Sequence, residues 1–491
     1  MSSQKNNLIY IPYLEWEFSE FPLIVNDLIF ENNDWNFDMS SFIEITRENN
    51  FTFRAAIKGS VSDFEKLEGK DDFIGKGNIV EVQKIKGRGV NGEEVVLDGC
   101  LNGEKKTDSI NLKFVEAGLH VESLSIYKAG KKEKHYHIRL EWFICSNIPS
   151  HVHLWGHTRR NPDFDNKKIR IGIDQYNGTP QNMIGGSSSS DYTLIDLNNI
   201  KFILAKVPNA LLPEGYEGIC IETRENYPQL NDEILNGIIE FLSFLFGNKL
   251  THTGNSLINN QELVEANLFS CNISKSGTAM PPIQFNSEYE WGDITKLLNL
   301  YLPAYLDKRT RIGLKDALSR YWISKDTPIG ANLPVLASAL EIINHNFIKD
   351  LDKELLEYLP KAEYQGLIKE ELESIKNKLD YLPAKEKQII VNKICGAYQK
   401  GSNEKMRILF DKLELEIGKV EEQAIKLRNS MVHGSRDYSD IEDAYDDLIL
   451  SRAYEILFHR IILKLVGYTD YYIDYSMQNC PSKPIRMKAG E

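Results

Sequence analysis

The sequence predicts an α+β protein in which a β-rich N-terminal region precedes an all-α region. Short β-branched and aromatic segments, separated by Gly, Asn and Asp, recur from the start of the chain to about residue 225. Apolar residues at helical spacing dominate from about residue 292 onward. At 491 residues the chain is also too long for one ordinary hydrophobic core. We therefore expect a β-rich domain at 1–225, a connector with one helix at 226–291, and a helical domain at 292–491.

Seven segments of the β-rich region have the composition of strands. They are Phe42–Thr46, Ile79–Val82, Glu94–Leu97, Ser109–Phe114, His135–Phe143, Lys168–Asp174 and Lys201–Val207. The fifth segment partly alternates polar and apolar residues, as a half-buried strand does. A run of Gly and Ser at 185–190 is typical of a flexible loop. Together these segments predict a β-sandwich or a large antiparallel sheet.

Helical spacing marks three places further along the chain. A helix is expected at Asp232–Gly247, in the connector. Two apolar stripes follow at spacings of three and four residues, which is the pattern of an amphipathic helix. The stripes are Leu336, Leu340, Ile343 and Phe347, and then Val420, Ala424, Leu427 and Met431. The charged segment between them, 351–419, is interrupted by prolines and predicts an insertion or additional helices on a bundle.

Composition excludes several classes of protein. The N-terminus has no basic and apolar leader, and the most apolar helical stretch, Ile234–Phe246, is shorter than the roughly 20 residues that span a bilayer. Six cysteines are scattered singly without a CxxC pair, which is typical of reduced cytosolic thiols. We therefore expect a cytoplasmic protein that makes no contact with a membrane. P-loop, dinucleotide-binding and hydrolase-elbow motifs are missing from the sequence.

The charge of the chain is unevenly distributed. The formal net charge is −13, which argues against a broad surface for nucleic acid. Residues 292–491 carry 30 Lys and Arg against 31 Asp and Glu, which leaves 28 against 40 in the first 291 residues. Because the excess acidity lies outside the helical region, a small basic groove remains possible there.

The most informative motif is the heptapeptide RNSMVHG, from Arg428 to Gly434. An arginine provides a fixed, always-charged fork for a phosphate. Histidine is the side chain that exchanges protons near neutral pH. His433 is expected in the last turn of a helix, where the helix dipole favours its protonated form. Gly434 would end that helix, and a capping-box pattern at Ser439 starts a long helix that reaches about Val466.

This motif is the RNxxxHG form of the signature R-x4-6-H, and the helical region resembles the HEPN ribonucleases. With its long N-terminal region, the chain is similar to the ApeA-type HEPN proteins of bacterial anti-phage defence. The resemblance implies a homodimer in which two motifs face each other across one cleft. It also implies metal-independent cleavage of RNA, without a cofactor, that leaves a 2′,3′-cyclic phosphate and a 5′-hydroxyl.

The chemistry of the motif assigns a role to each residue. Arg428 would clamp the scissile phosphate, Asn429 would orient the arginine or the phosphate, and His433 would transfer protons. Glu341 resembles an acidic residue of the first core helix of related domains; it would hold the Arg428 guanidinium if buried, and is otherwise an ordinary surface glutamate. Arg436 would contact phosphate or face solvent.

Alternatives to a nuclease remain open. The bundle could be a degenerate HEPN unit that only dimerises or binds nucleotide, with a ligand-binding β domain beside it. In the nuclease interpretation, the target is an RNA such as a tRNA, and a phage-derived trigger acts on the N-terminal domain.

A second constellation lies in the β-rich region. The residues His151, His153 and His157 have a metal-like spacing, although a polar strand end is the more ordinary interpretation. A basic stretch that begins at Lys128 and contains Tyr136 could grip RNA or a phage component. A solvated hairpin explains the same residues.

Overall fold

The computed structural model describes most of the chain, with gaps. The described residues are 8–10, 22–31, 41–48, 50–60, 83–107, 114–128, 136–148, 168–170, 192–197, 199–207, 212–259, 262–273, 280–284, 293–328, 331–349, 351, 353–432 and 441–485. The chain divides into two compact units. The sheet unit comprises Met1–Met280 and Phe285–Asn299, and the helical unit comprises Pro281–Gln284 and Leu300–Glu491.

The sheet unit contains fourteen strands within its described residues. They are β1 (Leu8–Tyr10), β2 (Leu23–Phe30), β3 (Phe42–Arg47), β4 (Phe53–Ser60), β5 (Gln83–Gly89), β6 (Glu94–Thr107), β7 (Phe114–Tyr127), β8 (Ile138–Cys145), β9 (Lys168–Arg170), β10 (Tyr192–Leu197), β11 (Ile200–Lys206), β12 (Glu217–Arg224), β13 (Thr251–Asn259) and β14 (Glu262–Phe269). Twelve of them form one antiparallel sheet, in the order β10-β11-β12-β8-β13-β14-β7-β4-β3-β2-β5-β6. The strands β1 and β9 form a separate pair.

Strand β7 joins two parts of the large sheet. Its first half pairs with β4 and its second half with β14, while β6 pairs along its other edge. The six strands β2 to β7 therefore close into a ring. Inward-facing side chains such as Val25, Ile43 and Val121 have no exposed surface and fill the interior of the ring. Within the described residues, each of these six strands is paired with a neighbour on both sides.

The open part of the sheet centres on β8. Six consecutive residues, from Leu140 to Cys145, are buried, so both faces of this strand are covered. Leu140, Trp142 and Ile144 point to one face and belong to a single apolar cluster. Helix α1 (Asp232–Phe246) connects β12 to β13 and contributes ten buried residues.

Local sequence explains the bounds of α1. The side chain of Asn231 accepts a hydrogen bond from the Ile234 N–H at 2.8 Å, which satisfies one of the free donors of the first turn. At the other end Gly247 has φ 64°, the left-handed conformation that glycine adopts readily. The helix predicted at Asp232–Gly247 is thus confirmed.

Most predicted strands that fall within the described residues are confirmed. Phe42–Thr46 lies in β3, Glu94–Leu97 in β6, and Lys201–Val207 corresponds to β11. The segment expected to begin at His135 forms β8, from Ile138 to Cys145. Ile79–Val82 and nearly all of Ser109–Phe114 lie outside the described residues, and so does the Gly and Ser run at 185–190.

The connector at 226–291 is more ordered than the sequence suggested. Strands β13 and β14 form a hairpin in the middle of the large sheet, next to β8 and β7. The hairpin carries polar residues such as Asn255 and Asn267 on one face, where their side chains hydrogen-bond each other at 2.9 Å. The sequence predicted only a connector with one helix here, and it did not predict these two strands. The expected sandwich or large sheet is a single antiparallel sheet with a closed part and an open part.

Ten further helices follow in the described residues. They are α2 (Asp293–Arg311), α3 (Leu314–Lys325), α4 (Asn332–Lys349), α5 (Lys353–Leu356), α6 (Lys361–Leu367), α7 (Lys369–Lys378), α8 (Ala384–Cys395), α9 (Ser402–Lys412), α10 (Lys419–Val432) and α11 (Ile441–Leu465). The division between the two units falls within α2. A short antiparallel pair, β15 (Tyr471–Ile473) and β16 (Ser482–Pro484), follows α11. The described architecture is therefore α+β, with the helical region after the sheet.

Helix α4 is the hub of the helical unit because it packs against α3, α9, α10 and α11. Leu336, Leu340 and Ile343 of its predicted stripe are buried, and Phe347 is half-buried. The charged segment predicted at 351–419 forms the short helices α5 to α9, of which α6 and α7 contain no buried residue. Among the helices that the structure describes, none combines the length and apolar character needed to cross a membrane.

Candidate active site

The predicted motif begins inside helix α10. Its backbone is helical through Val432, so Arg428 and Asn429 lie in the last turns of this helix. The side chains of both residues lie outside what the structure describes. His433 and Arg436 fall outside the described residues altogether. The structure therefore defines the helices that carry the motif and the backbone positions of Arg428 and Asn429.

The hairpin of α10 and α11 has the order that the sequence predicted. The two helices pack against each other, and the long second helix ends at Leu465, one residue before the expected end. Ala424 and Leu427 of the predicted stripe are buried. Val420, the first residue of that stripe, lies in the first turn of α10 and is 41% exposed. Position 428 follows the buried Ala424 by one turn.

Arg460 of α11 holds the start of α10 in place. Its guanidinium donates to the Glu421 carboxylate at 3.2 Å and to the backbone oxygen of Glu416 at 2.7 Å. The same group lies over the ring of Tyr472, 5.2 Å from the centroid. Arg460 is 5% exposed, so these contacts replace most of its hydration. The hairpin therefore has a fixed base about two helical turns before Arg428.

A buried polar cluster joins α11 to α3. The Glu455 carboxylate accepts from the Tyr321 hydroxyl at 2.8 Å and from the Lys325 ammonium at 2.6 Å. The Nε2 atom of His459 lies 3.0 Å from the Tyr321 hydroxyl and 3.7 Å from Glu455. A buried charge is tolerated when it is paired and hydrogen-bonded. Here the Glu455 carboxylate on α11 forms an ion pair with Lys325 and a hydrogen bond with Tyr321, both on α3.

Burial sets the protonation states of this cluster. Desolvation lowers the pKa of His459 to about 4, against a smaller opposing effect of the Glu455 charge. Desolvation also raises the pKa of Tyr321 well above its usual range, and the neighbouring Glu455 adds to that shift. The pKa of Glu455 is lowered: although its burial opposes ionisation, the Lys325 charge is the largest of the effects that favour it. Near neutral pH the cluster therefore contains an ion pair, a neutral imidazole and a neutral phenol.

The buried cluster was not identified from the sequence. Its residues are separated by up to 138 positions along the chain. The one local signal was the spacing of four residues between Glu455 and His459, which places them on one side of a helix. Common residue types at that spacing do not indicate which helix lies opposite.

Glu341 lies on α4 and is exposed. That position differs from the buried one in which it would hold Arg428. Because the Arg428 side chain lies outside the described residues, the contact between the two remains a prediction. His345, four residues later, is also exposed. Both line a cavity between α3, α4 and α9.

The histidines and the basic stretch of the β-rich region lie largely outside the described residues. His151, His153 and His157 lie outside the described residues. Lys128, at the start of the basic stretch, pairs with Glu262 at 3.0 Å, with both side chains about half exposed. Across the described residues, no group of three or more His, Cys, Asp or Glu is arranged to hold a metal ion.

The sheet unit does bury carboxylates. Glu141 accepts hydrogen bonds from Arg139 and from His252, whose Nε2 lies at 2.7 Å, and the imidazole stacks on Phe143 at 4.6 Å. Glu222 accepts from Arg224 at 3.0 Å. Each carboxylate is paired with an arginine two residues away on the same strand. Each of these buried carboxylates therefore has a charged partner within its own strand.

Comparison with known proteins adds no assignment. The chain matches no protein-family model, no curated protein and no solved structure. The RNxxxHG motif and the helices that carry it are therefore the features of the chain that bear on its function.

Proposed function

We propose that this protein is a metal-independent HEPN endoribonuclease of bacterial anti-phage defence, which acts in the cytoplasm. The observation that carries the proposal is the RNxxxHG motif at the end of α10, in a helix that packs against α11 and α4. A helical hairpin with this motif before its turn is the arrangement the resemblance implies. The fixed base at Arg460 supports it, because a catalytic group needs a rigid element beneath it.

The proposed reaction uses side chains alone. Arg428 binds the scissile phosphate and stabilises the negative charge that develops on it. His433 takes a proton from the attacking 2′-hydroxyl or donates one to the leaving 5′-oxygen. Asn429 orients the arginine or the phosphate. The products are a 2′,3′-cyclic phosphate and a 5′-hydroxyl, since the nucleophile belongs to the RNA itself.

The proposal includes a homodimer. The sequence contains a single RNxxxH motif, and one motif provides one histidine. Acid and base catalysis at one phosphate needs two proton-transfer groups, unless one imidazole performs both steps. Two copies of α10 facing each other provide the pair. The sheet unit would then restrain the nuclease and respond to a phage component, because uncontrolled cleavage of cellular RNA such as tRNA is toxic.

The decisive experiment is sequencing of RNA 5′ ends after induction of the protein in cells. We expect new 5′-hydroxyl ends with the wild type, and a loss of at least about a hundredfold with Arg428→Ala or His433→Ala. Arg407→Ala is the matched control, because it removes an exposed arginine from α9 in the same unit. Equal 5′-end profiles for the wild type and both motif variants would contradict the proposal and favour a non-catalytic dimerisation module.

A purified sample separates this function from a metal hydrolase. We expect cleavage to continue in the presence of a chelator and to stop with His433→Ala. The opposite pattern would place the activity at the histidines 151, 153 and 157 instead.

A further inference from the structure

A cavity of about 640 Å³ lies between three helices of the helical unit. Helices α3 and α9 each pack against α4 and form its sides. Polar side chains from all three helices line it: Arg320, Ser338, Glu341, His345, Ser402 and Lys405. Its volume lies within the range of about 300–1,000 Å³ that is usual for small-ligand sites.

Two cations in this cavity have no acidic partner among the described residues. The guanidinium of Arg320 donates to the Ser338 hydroxyl at 3.2 Å, and that hydroxyl donates to the Val335 backbone oxygen at 2.6 Å. Arg320 is thereby held toward α4 by a neutral group. Lys405 is half-buried on α9, and no ion pair is found for it within the described part of the chain. Two such cations at one cavity favour an anionic ligand.

Asn344 favours a ligand that also carries a hydrogen-bond donor. This residue lines the cavity and is 5% exposed. Its Oδ1 atom accepts no hydrogen bond from any described residue. A buried acceptor without a donor costs free energy, which a ligand that carries a hydrogen-bond donor would recover. The carboxylate of Glu341 offers a further acceptor at the same cavity. An anion without a hydroxyl group, such as sulfate, would offer no donor to the Asn344 acceptor.

We propose that this cavity binds the ribose phosphate unit of a nucleotide. Arg320 and Lys405 bind the phosphate, while Asn344 and Glu341 accept hydrogen bonds from the ribose hydroxyls. Two sources share this chemistry: a free nucleotide, or one residue of an RNA chain. Binding of a free nucleotide is independent of the proposed catalysis. Binding of an RNA residue rests on the proposed function and would provide a contact for the substrate away from the motif.

The test is calorimetric titration of the full chain in a His433→Ala background, so that RNA is not cut. The ligands are adenosine 5′-monophosphate (AMP), its 2′,3′-dideoxy analogue, inorganic phosphate and an oligoadenylate RNA. We expect Arg320→Ala and Lys405→Ala each to weaken AMP or RNA binding by about tenfold or more, since each removes a charged hydrogen bond. Arg407→Ala, which removes an exposed arginine from α9 outside the cavity, should have no effect. The dideoxy analogue should bind about tenfold more weakly than AMP.

Each outcome decides a different point. Binding of AMP supports a free nucleotide as the ligand, and binding of the RNA without AMP supports a residue of an RNA chain. Failure of both to bind, or equal affinities in Lys405→Ala and Arg407→Ala, would overturn the proposal. Equal affinities for AMP and inorganic phosphate would contradict the role of the ribose. If the wild type cuts no RNA but the cavity still binds AMP, the catalytic proposal fails and this one stands.

Discussion

Glu141 in the sheet unit and Glu455 in the helical unit are both buried carboxylates, and they find their partners at different distances along the chain. Glu141 is paired with Arg139, two residues earlier on the same strand, and also contacts His252 of β13, 111 residues later. Glu455 is paired with Tyr321 and Lys325, which precede it by 134 and 130 residues. Glu141 thus has one charged partner on its own strand, whereas Lys325, the charged partner of Glu455, lies on another helix.

The difference follows from the geometry of the two elements. Side chains two positions apart on a strand point to the same face, so a charge and its partner can be adjacent in sequence. On a helix the neighbours are three and four positions apart, and a core position faces another helix. Loss of a polar partner should thus disturb the bundle more than the sheet. The sheet should be most sensitive where its backbones approach closely.

The largest effect is expected from Glu455→Ala. Removing this carboxylate leaves the Lys325 ammonium and the Tyr321 hydroxyl without their shared acceptor, and breaking a buried pair costs about 3 kcal/mol or more. Hydrogen exchange measured by mass spectrometry should show this loss in peptides from α3 and α11. Asp446→Ala, an exposed carboxylate on the same helix, is the control. Equal protection in the two variants would show that the cluster does not hold the helices together.

Gly254→Ala should destabilise the sheet unit by about 2 to 3 kcal/mol. Gly254 has φ 151° at an irregularity of β13, and a Cβ atom there would lie 2.2 Å from the backbone oxygen of Asn267. Exchange in peptides from β13 and β14 should increase. Gly92→Ala is the matched control, because its φ is 82° but the space around it is open. A similar loss in both variants would leave backbone strain as the sole cause.

Acidification should weaken the bundle through His459. Its folded-state pKa of about 4 lies below the ordinary value of about 6.5, so the unfolded chain binds the proton more tightly. The stabilisation is complete above pH 6.5 and is lost as the pH falls toward 4, by about 2 kcal/mol between pH 6.5 and 5. Exchange of α11 peptides, corrected for the intrinsic rate, should show this slope. His459→Gln should flatten it, and an unchanged slope would assign the effect to other groups.

The smallest effect is expected from Lys128→Ala. The ion pair of Lys128 with Glu262 links β14 to the end of β7, but both side chains are about half exposed. Pairs of this kind contribute at most about 1 kcal/mol, and often nothing measurable. Urea unfolding of the variant should coincide with that of the wild type. A loss above about 1 kcal/mol would mean that the sheet, too, depends on contacts distant in sequence.

The positions of strands and helices along the chain were easier to predict than which of them pair or pack together. β-branched and aromatic residues indicated β3, β8 and β11, and the spacing of Leu336, Leu340 and Ile343 indicated α4. These signals are local. Strands β13 and β14 were not predicted, because polar residues such as Asn255 and Asn267 interrupt the apolar pattern and the segment was interpreted as a connector. The closure of the ring at β7 could not be seen either, since it depends on which strands meet.

The sequence predicted the motif of the candidate site, but it did not predict the side-chain contacts in the helices around it. RNSMVHG is a local pattern, and it placed Arg428 and Asn429 on the helix where the structure has them. Glu341 was expected near the motif or on the surface, and it is exposed. The cluster around Glu455 escaped prediction because Tyr321 and Lys325 lie far away in sequence. Asn344 was not singled out from the sequence, because its burial depends on the helices that pack against α4.

The wide separation between Tyr321 and Glu455 has a consequence for synthesis on the ribosome. Chains emerge in order, and N-terminal domains generally fold first. The strands of the sheet unit are synthesised before α11. Tyr321 of α3 can bond Glu455 only after α11 has been synthesised. The motif is also synthesised late, because Arg428 lies in α10, directly before α11 in the sequence. The strands of the sheet unit can therefore be in place before the helical unit that contains the motif is complete.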